Sequence, residues 1–102
     1  MNKYNYETRC DIYRTAIGKF GVEKQLTVAI EEMSEVIKEL CKIQRGLGDS
    51  DHLAEEIADA TIMLEQVRQI FAINGRVCTI MDSKIERLHD RLEEYRRTND
   101  VQ

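Results

Sequence analysis

Two short acidic stretches are the part of this chain best suited to chemistry. Each stretch, TVAIEEMSEVIKEL and LAEEIADATIMLEQV, places three acids inside an otherwise apolar pattern. The six acids are Glu31, Glu32, Glu35, Glu55, Glu56 and Asp59. Carboxylate oxygens without cysteine or histidine ligands favour a hard cation. The stretches therefore predict a site for Mg²⁺, with Mn²⁺ as an alternative.

Helical phase selects four of these acids as the inward ones. At about 100° per residue, Glu32 with Glu35, and Glu56 with Asp59, lie at or near the edge of the apolar stripe of their helix. The remaining acid of each cluster points further outward. Two unit charges about 4 Å apart repel by roughly 4 kcal/mol at an effective dielectric constant near 20. Four converging carboxylates therefore require a cation or a proton among them.

The alternative is that both clusters are solvated faces, placed where acids favour the helix dipole. An ordinary solvated face alternates the sign of its charges. Glu39 with Lys42 and Glu93 with Arg96 show that alternation. The repetition of one i, i+3 acidic design on two neighbouring segments favours the metal site over the solvated face.

Four helical segments must position these acids. Glycines mark the breaks between the segments, at Gly18 and Gly21, at Gly46 and Gly48, and at Gly75. Asp49, Ser50 or Asp51 is expected to cap the third segment. The second segment has apolar positions at helical spacing, which are Leu26, Ile30, Met33, Ile37, Leu40 and Cys41. The pattern predicts an all-α four-helix bundle in a single domain, residues 1–102.

Composition limits the partners of such a domain. The net charge of -4 lacks the basic footprint that nucleic acids or anionic membrane surfaces require. No apolar run is long enough to span a membrane. Three widely spaced cysteines predict small buried side chains rather than a disulfide framework, which suits a cytoplasmic protein. A chain of 102 residues buries a limited core, so self-association would stabilise it.

The acidic stretches resemble a known family at this point. EEMSE followed by EIAD is similar to the E-E-x-x-E … E-x-x-D pattern of the MazG-like proteins, which are all-α nucleoside triphosphate pyrophosphohydrolases related to dimeric dUTPases and dCTPases. The resemblance extends from Gln25 to Arg91. It implies a homo-oligomer, dimer or tetramer, and it implies Mg²⁺ ligands at the four acids that helical phase selects. Glu31 would be a fifth acid acting through water.

The resemblance also implies contacts to the substrate. The stretch SKIERLHDRL on the last helix supplies basic residues for the phosphates, although a solvated basic face explains them equally well. KQL, before the first motif, matches a position that contacts the nucleobase in the family. The implied phosphate contacts are Lys84, Arg87 and Arg91, with Lys42 and Arg45 as weaker candidates, and the implied base contact is Gln25.

The expected function is Mg²⁺-dependent hydrolysis of a (deoxy)nucleoside triphosphate to the monophosphate and pyrophosphate. Glu35 or Glu32 would accept a proton from the attacking water. The alternative is a non-enzymatic helical dimerisation or regulatory module, whose acids face water or a basic partner. A di-iron site is disfavoured, because Glu86 and His89 form a single E-x-x-H pair and such sites use two.

Overall fold

The structure, a computed structural model, describes residues 3–100 and contains four α-helices and no strand in that range. The helices are α1 (Tyr6–Phe20), α2 (Val22–Gln44), α3 (Ser50–Ile70) and α4 (Asn74–Asp100). The all-α prediction is therefore confirmed. The chain divides into two compact units, Met1–Ala72 and Ile73–Gln102. A single bundle that includes the fourth helix stays a prediction.

Local sequence explains where the helices of the first unit begin and end. Asn5 caps α1 by accepting a hydrogen bond from the backbone N–H of Thr8, and Asp49 caps α3 in the same way for His52. Asp49 is one of the three residues that the sequence predicts as caps of this helix. Gly21 separates α1 from α2 at φ 94°, a conformation that residues with a Cβ rarely adopt.

Helices α2 and α3 form the centre of the first unit and run antiparallel, joined by the short connection 45–49. Gln25 of α2 meets Gln66 of α3 near one end of the pair, and Glu39 meets His52 near the other. Glu32 and Asp59 lie between them. We call these three pairs the polar seam. Its members recur at seven-residue steps, about two turns, along each helix.

Small and flexible side chains let the two helices approach closely around this seam. Ala29 and Ala60 are 2% and 6% exposed, and Met63 is also buried. Alanine leaves room for the neighbouring helix at short interaxial distance, whereas methionine fills irregular space. The apolar core of the first unit is consequently narrow, and polar residues supply much of its buried contact.

Helix α1 packs on both α2 and α3 through a mixed contact. The buried Tyr13 hydroxyl donates a hydrogen bond to Glu65, which also faces Arg9. The Gln69 side-chain amide donates to the backbone carbonyl of Cys10 at 3.0 Å. Burial and the neighbouring Glu65 carboxylate raise the pKa of Tyr13 to about 12, so its hydroxyl stays protonated and able to donate.

The apolar stripe predicted for α2 is not the face that packs on α3. Ile30 is 65% exposed, Ile37 62% and Leu40 47%, and Cys41 is exposed as well. The face toward α3 is the neighbouring one that carries the polar seam, and packing of the exposed stripe in a homo-oligomer stays a prediction. The expectation of buried cysteines fails for Cys41 and Cys78, since both are exposed.

Helix α4, described by itself, is a long amphipathic helix with an apolar row beside a basic row. The apolar row is Met81, Ile85, Leu88, Leu92 and Tyr95, the basic row is Lys84, Arg87 and Arg91, and all of these residues are exposed. Nowhere in residues 3–100 is a helix both long and apolar enough to cross a membrane.

Candidate metal centre

Three carboxylates meet at the middle of the α2–α3 pair. One oxygen from each of Glu32, Glu56 and Asp59 lies within 4.8 Å of the others. Glu32 and Glu56 are half-buried, and Asp59 is exposed, so the cluster opens to solvent on one side. Glu56 and Asp59 come from successive turns of α3, because residues three apart share a helix face. Below we call these three residues the acidic cluster.

The electrostatics of the acidic cluster are unfavourable for three ionised groups. Burial raises the pKa of Glu32 above its ordinary value, and the negative charges of Asp59, Glu56, Glu35 and Glu31 raise it further. The helix pair therefore brings like charges together instead of separating them. A bound cation would remove this repulsion, because its charge compensates the carboxylates.

The two end pairs of the polar seam consist of groups that can contact each other favourably, whereas the middle pair, Glu32 and Asp59, does not. The Gln25 side-chain amide donates to Gln66 at 2.7 Å, and His52 Nδ1 lies 3.0 Å from a carboxylate oxygen of Glu39. Neither Glu32 nor Asp59 has a hydrogen-bond donor or basic partner among residues 3–100. The Glu32–Asp59 pair, one residue half-buried and the other exposed, is thus the uncompensated part of the polar seam.

An open cavity of about 170 Å³ adjoins the acidic cluster. Its lining combines two of the acids with apolar side chains from both helices. The residues are Val28, Glu32, Asp59, Ile62 and Met63. The size suits a small group beside the cluster rather than a whole nucleotide.

The donor set of the acidic cluster fits a hard divalent cation. Three carboxylate oxygens at this spacing can bind one ion after small side-chain rotations, and no sulfur or nitrogen ligand belongs to the group. The Glu86–His89 pair, considered from the sequence as a di-iron motif, does not belong to the acidic cluster. Glu86 and His89 lie exposed on α4, where His89 faces Asp90 and Glu93.

Glu35, the fourth predicted ligand, is not one of the three converging acids. It is half-buried, and its Oε2 lies 3.7 Å from Lys38 Nζ. It remains close enough to Glu32 for its charge to raise the pKa of that residue. Glu31 and Glu55 are exposed, in the outward positions that helical phase predicted.

Glu39 differs most from its sequence-based interpretation. We expected it to belong to a solvated face with Lys42, but its side chain is only 4% exposed. Its partner is His52, whose other ring nitrogen lies 3.1 Å from Glu56. That expectation is wrong because it counted neighbours on one helix, whereas the partner of Glu39 comes from the next helix.

The residues assigned to the substrate are dispersed. Gln25, the implied base contact, is 6% exposed, and its amide is engaged by Gln66. The implied phosphate contacts on α4 belong to the second unit and are exposed there. Lys42 and Arg45, the weaker phosphate candidates, are exposed near the C-terminal end of α2.

The sequence contained a signal for the polar seam that spacing within each motif did not use. Gln25, Glu32 and Glu39 follow at seven-residue steps, and His52, Asp59 and Gln66 do so on the next helix. A repeat of seven keeps residues on nearly the same helix face. Polar residues repeating in this way beside apolar ones would have predicted a polar contact between the helices.

Comparisons with known proteins add no family. No protein-family model matches the chain, and neither a curated protein nor a solved structure matches it at a significant level. The resemblance to MazG-like proteins thus depends on the acidic motifs alone.

Proposed function

We propose that the chain is a Mg²⁺-dependent nucleoside triphosphate pyrophosphohydrolase that acts at the acidic cluster. The observation that carries the proposal is the convergence of Glu32, Glu56 and Asp59 without a basic partner for the Glu32–Asp59 pair. A helix pair held together by complementary polar contacts at both ends keeps these like charges in place. Such an arrangement is costly for a protein that binds no cation, and the resemblance of the motifs indicates the reaction.

The residues around the cluster divide the work of the reaction. Glu32, Glu56 and Asp59 would hold the cation, which when bound neutralises phosphate oxygens and makes the α-phosphorus easier to attack. Glu35 stands beside the cluster without belonging to it. It is therefore the better candidate to accept the proton of the attacking water, with Glu32 as the alternative. The bond that breaks joins the α-phosphorus to the bridging oxygen of the β-phosphate.

The substrate contacts implied by the resemblance stay part of the proposal. Lys84, Arg87 and Arg91 would stabilise negative charge on the phosphates and on the departing pyrophosphate. Gln25 would contact the base only after its hydrogen bond to Gln66 opens, because its amide is buried and engaged. Alanine substitution of the three basic residues tests their role, and unchanged kinetics in all three would remove α4 from the proposal.

The direct test is product analysis with purified protein. The protein should release pyrophosphate from at least one ribo-, deoxyribo- or oxidatively damaged nucleoside triphosphate in the presence of Mg²⁺, and excess EDTA should stop the release. Pyrophosphate and orthophosphate are scored separately. Orthophosphate as the first product would contradict cleavage between the α and β phosphates.

Paired variants link this activity to the cluster. Glu56→Gln and Asp59→Asn preserve side-chain shape and should lower kcat/KM by at least about a hundredfold, the loss expected for a key electrostatic group. Glu55→Gln, which changes the net charge equally at an exposed neighbouring position, should keep nearly wild-type kinetics. Equal losses in Glu55→Gln and Glu56→Gln would show that the cluster is not the active site.

A non-enzymatic interaction module is the second candidate, and one observation favours it. The exposed Ile30, Ile37 and Leu40 on α2 form an apolar face that a partner helix could cover. The same face would serve the homo-oligomer that the resemblance implies. Stable self-association without release of pyrophosphate from any nucleotide would support the module over the enzyme.

A further inference from the structure

The polar contacts around Glu39 and His52 are not explained by the reaction itself. Glu39 is 3% exposed, and its only ion-pair partner among residues 3–100 is His52. A buried carboxylate is unfavourable without a compensating partner. The contacts that compensate Glu39 beside the acidic cluster therefore bear on what this residue does.

Both oxygens of Glu39 are held. The backbone N–H of Asp49 donates a long hydrogen bond of 3.4 Å to Oε1, and His52 Nδ1 lies 3.0 Å from Oε2. Gly48 brings the connecting loop against the same carboxylate, since a Cβ at Gly48 would lie 2.9 Å from Oε1. Contacts with the connecting loop and with the His52 ring thus restrict the orientation of the Glu39 carboxylate.

His52 lies between Glu39 and the acidic cluster. Its backbone is fixed by the Asp49 cap at the start of α3, and its ring lies between two carboxylates. Nε2 lies 3.1 Å from Glu56 Oε1, one turn further along the helix. Because the imidazole is rigid, a single ring orientation makes both the Nδ1 contact and the Nε2 contact.

The geometry points to Glu39 and His52 as positioning residues that orient Glu56 for the cation of the acidic cluster. Glu39 holds the ring, the ring holds one oxygen of Glu56, and the fixed carboxylate then presents itself toward Glu32 and Asp59. Hydrogen-bonding partners of metal ligands contribute to affinity by this means, and their loss typically weakens metal binding or activity by about 10- to 100-fold. The inference rests on the proposed function, since it concerns how the same site holds its cation.

Two substitutions of His52 separate positioning from stability. A glutamine amide nitrogen can take the place of Nε2, which faces Glu56, and an asparagine amide nitrogen can take the place of Nδ1, which faces Glu39. Positioning predicts that Mn²⁺ affinity falls in the order wild type, His52→Gln, His52→Asn, with at least about a tenfold loss in His52→Asn and in His52→Ala. A role of His52 in folding stability alone predicts the reverse order for the two amides, with His52→Asn closer to the wild type than His52→Gln, because only the asparagine can still contact the buried Glu39.

Mn²⁺ binding to the nucleotide-free protein is measured by the loss of the free-ion electron paramagnetic resonance signal, and melting temperatures are measured in EDTA. His89→Ala is the matched control, because His89 faces Glu93 four residues later on exposed α4, as His52 faces Glu56. It should leave Mn²⁺ binding unchanged. Glu39→Ala provides a second arm that removes the partner of the ring and should also weaken Mn²⁺ binding, whereas the isosteric Glu39→Gln keeps an oxygen beside Nδ1 and should weaken it less.

The outcomes distinguish this inference from the proposed function. Wild-type Mn²⁺ affinity in His52→Asn or tighter binding in His52→Ala would overturn the positioning role while the enzyme proposal stands. The second result would show that the ring competes with the cation. Absence of Mn²⁺ binding and of pyrophosphate release in the wild type would overturn both.

Discussion

Replacing Glu32 by glutamine should stabilise the metal-free protein, because Glu32 contributes one of the converging charges. Among the described residues no basic side chain compensates the charge of Glu32, whereas His52 lies next to Glu56. The ligand oxygens of Glu32 and Asp59 lie within 4.8 Å of one another. Two unit charges at that distance repel by about 1 kcal/mol in a water-like dielectric and by about 3.5 kcal/mol at an effective dielectric constant of 20. Because Asp59 is exposed and solvent screens the pair, the expected gain in the free energy of unfolding at pH 7.5 is near the lower value, about 1 kcal/mol.

The pH dependence of this gain has a definite sign. The pKa of Glu32 is raised in the folded state, so ionisation is less favourable there than in the unfolded chain. Below the ordinary glutamate pKa, the wild type carries a protonated Glu32 in both states, and the substitution should gain little. As the pH rises through the raised pKa, the wild type loses stability that Glu32→Gln retains. The gain should grow from about pH 4.5 upward and then level off.

Urea denaturation in EDTA at constant protein concentration measures the gain from pH 4 to pH 8. At 1 M NaCl the screening length falls to about 3 Å, so the gain should shrink. Glu31→Gln is the control, since Glu31 is exposed and carries the same charge. Equal gains in both variants would mean that overall net charge is responsible. A loss of stability in Glu32→Gln at pH 7.5 would refute the repulsion argument.

Two further predictions concern the first unit. Tyr13→Phe should lower the free energy of unfolding by about 1 kcal/mol at pH 7, because Glu65 loses its hydrogen-bond donor. Since the pKa of Tyr13 is raised from 10.0 to about 12, the wild-type free energy of unfolding should fall toward that of the variant between pH 10 and 12 in denaturant titrations. Light scattering should report a dimer or tetramer at micromolar concentration, because Ile30 and Ile37 expose an apolar face. Ile37→Lys should dissociate this oligomer, whereas the control Lys38→Ala should not. A monomeric wild type would count against self-association.

The sequence predicted the number and order of the helices because those depend on local features, but two of the glycines expected at breaks lie inside helices, Gly18 in α1 and Gly75 in α4. Glycine at Gly21 and Gly46 and the cap at Asp49 act within a few residues of their own position. The outward positions of Glu31 and Glu55 also follow from helical phase. These properties need no knowledge of which helix packs against which.

The packing face of α2 could not be read from hydrophobicity alone. The most apolar stripe contains Ile30 and Ile37, yet the face that meets α3 carries Gln25 and Glu39. Partners on another helix decide whether a polar residue can be buried, and His52 supplies that partner for Glu39. The sequence therefore suggested a solvated Glu39 where the structure buries it.

The arrangement of the polar seam explains how the protein can keep like charges together at its middle. Gln25 with Gln66 and Glu39 with His52 are complementary pairs, and they coincide only in one register of the two helices. A slip of the two helices by seven residues would place Glu32 beside Gln66 in one direction or beside His52 in the other, which would relieve its repulsion. The same slip would leave buried Gln25 or buried Glu39, respectively, without its partner. Each lost pair would cost about 1–3 kcal/mol or more. The short connection 45–49 opposes the same slip. We infer that the end pairs hold Glu32 against Asp59 because they specify the register of the two helices, a role that is well attested for buried polar contacts.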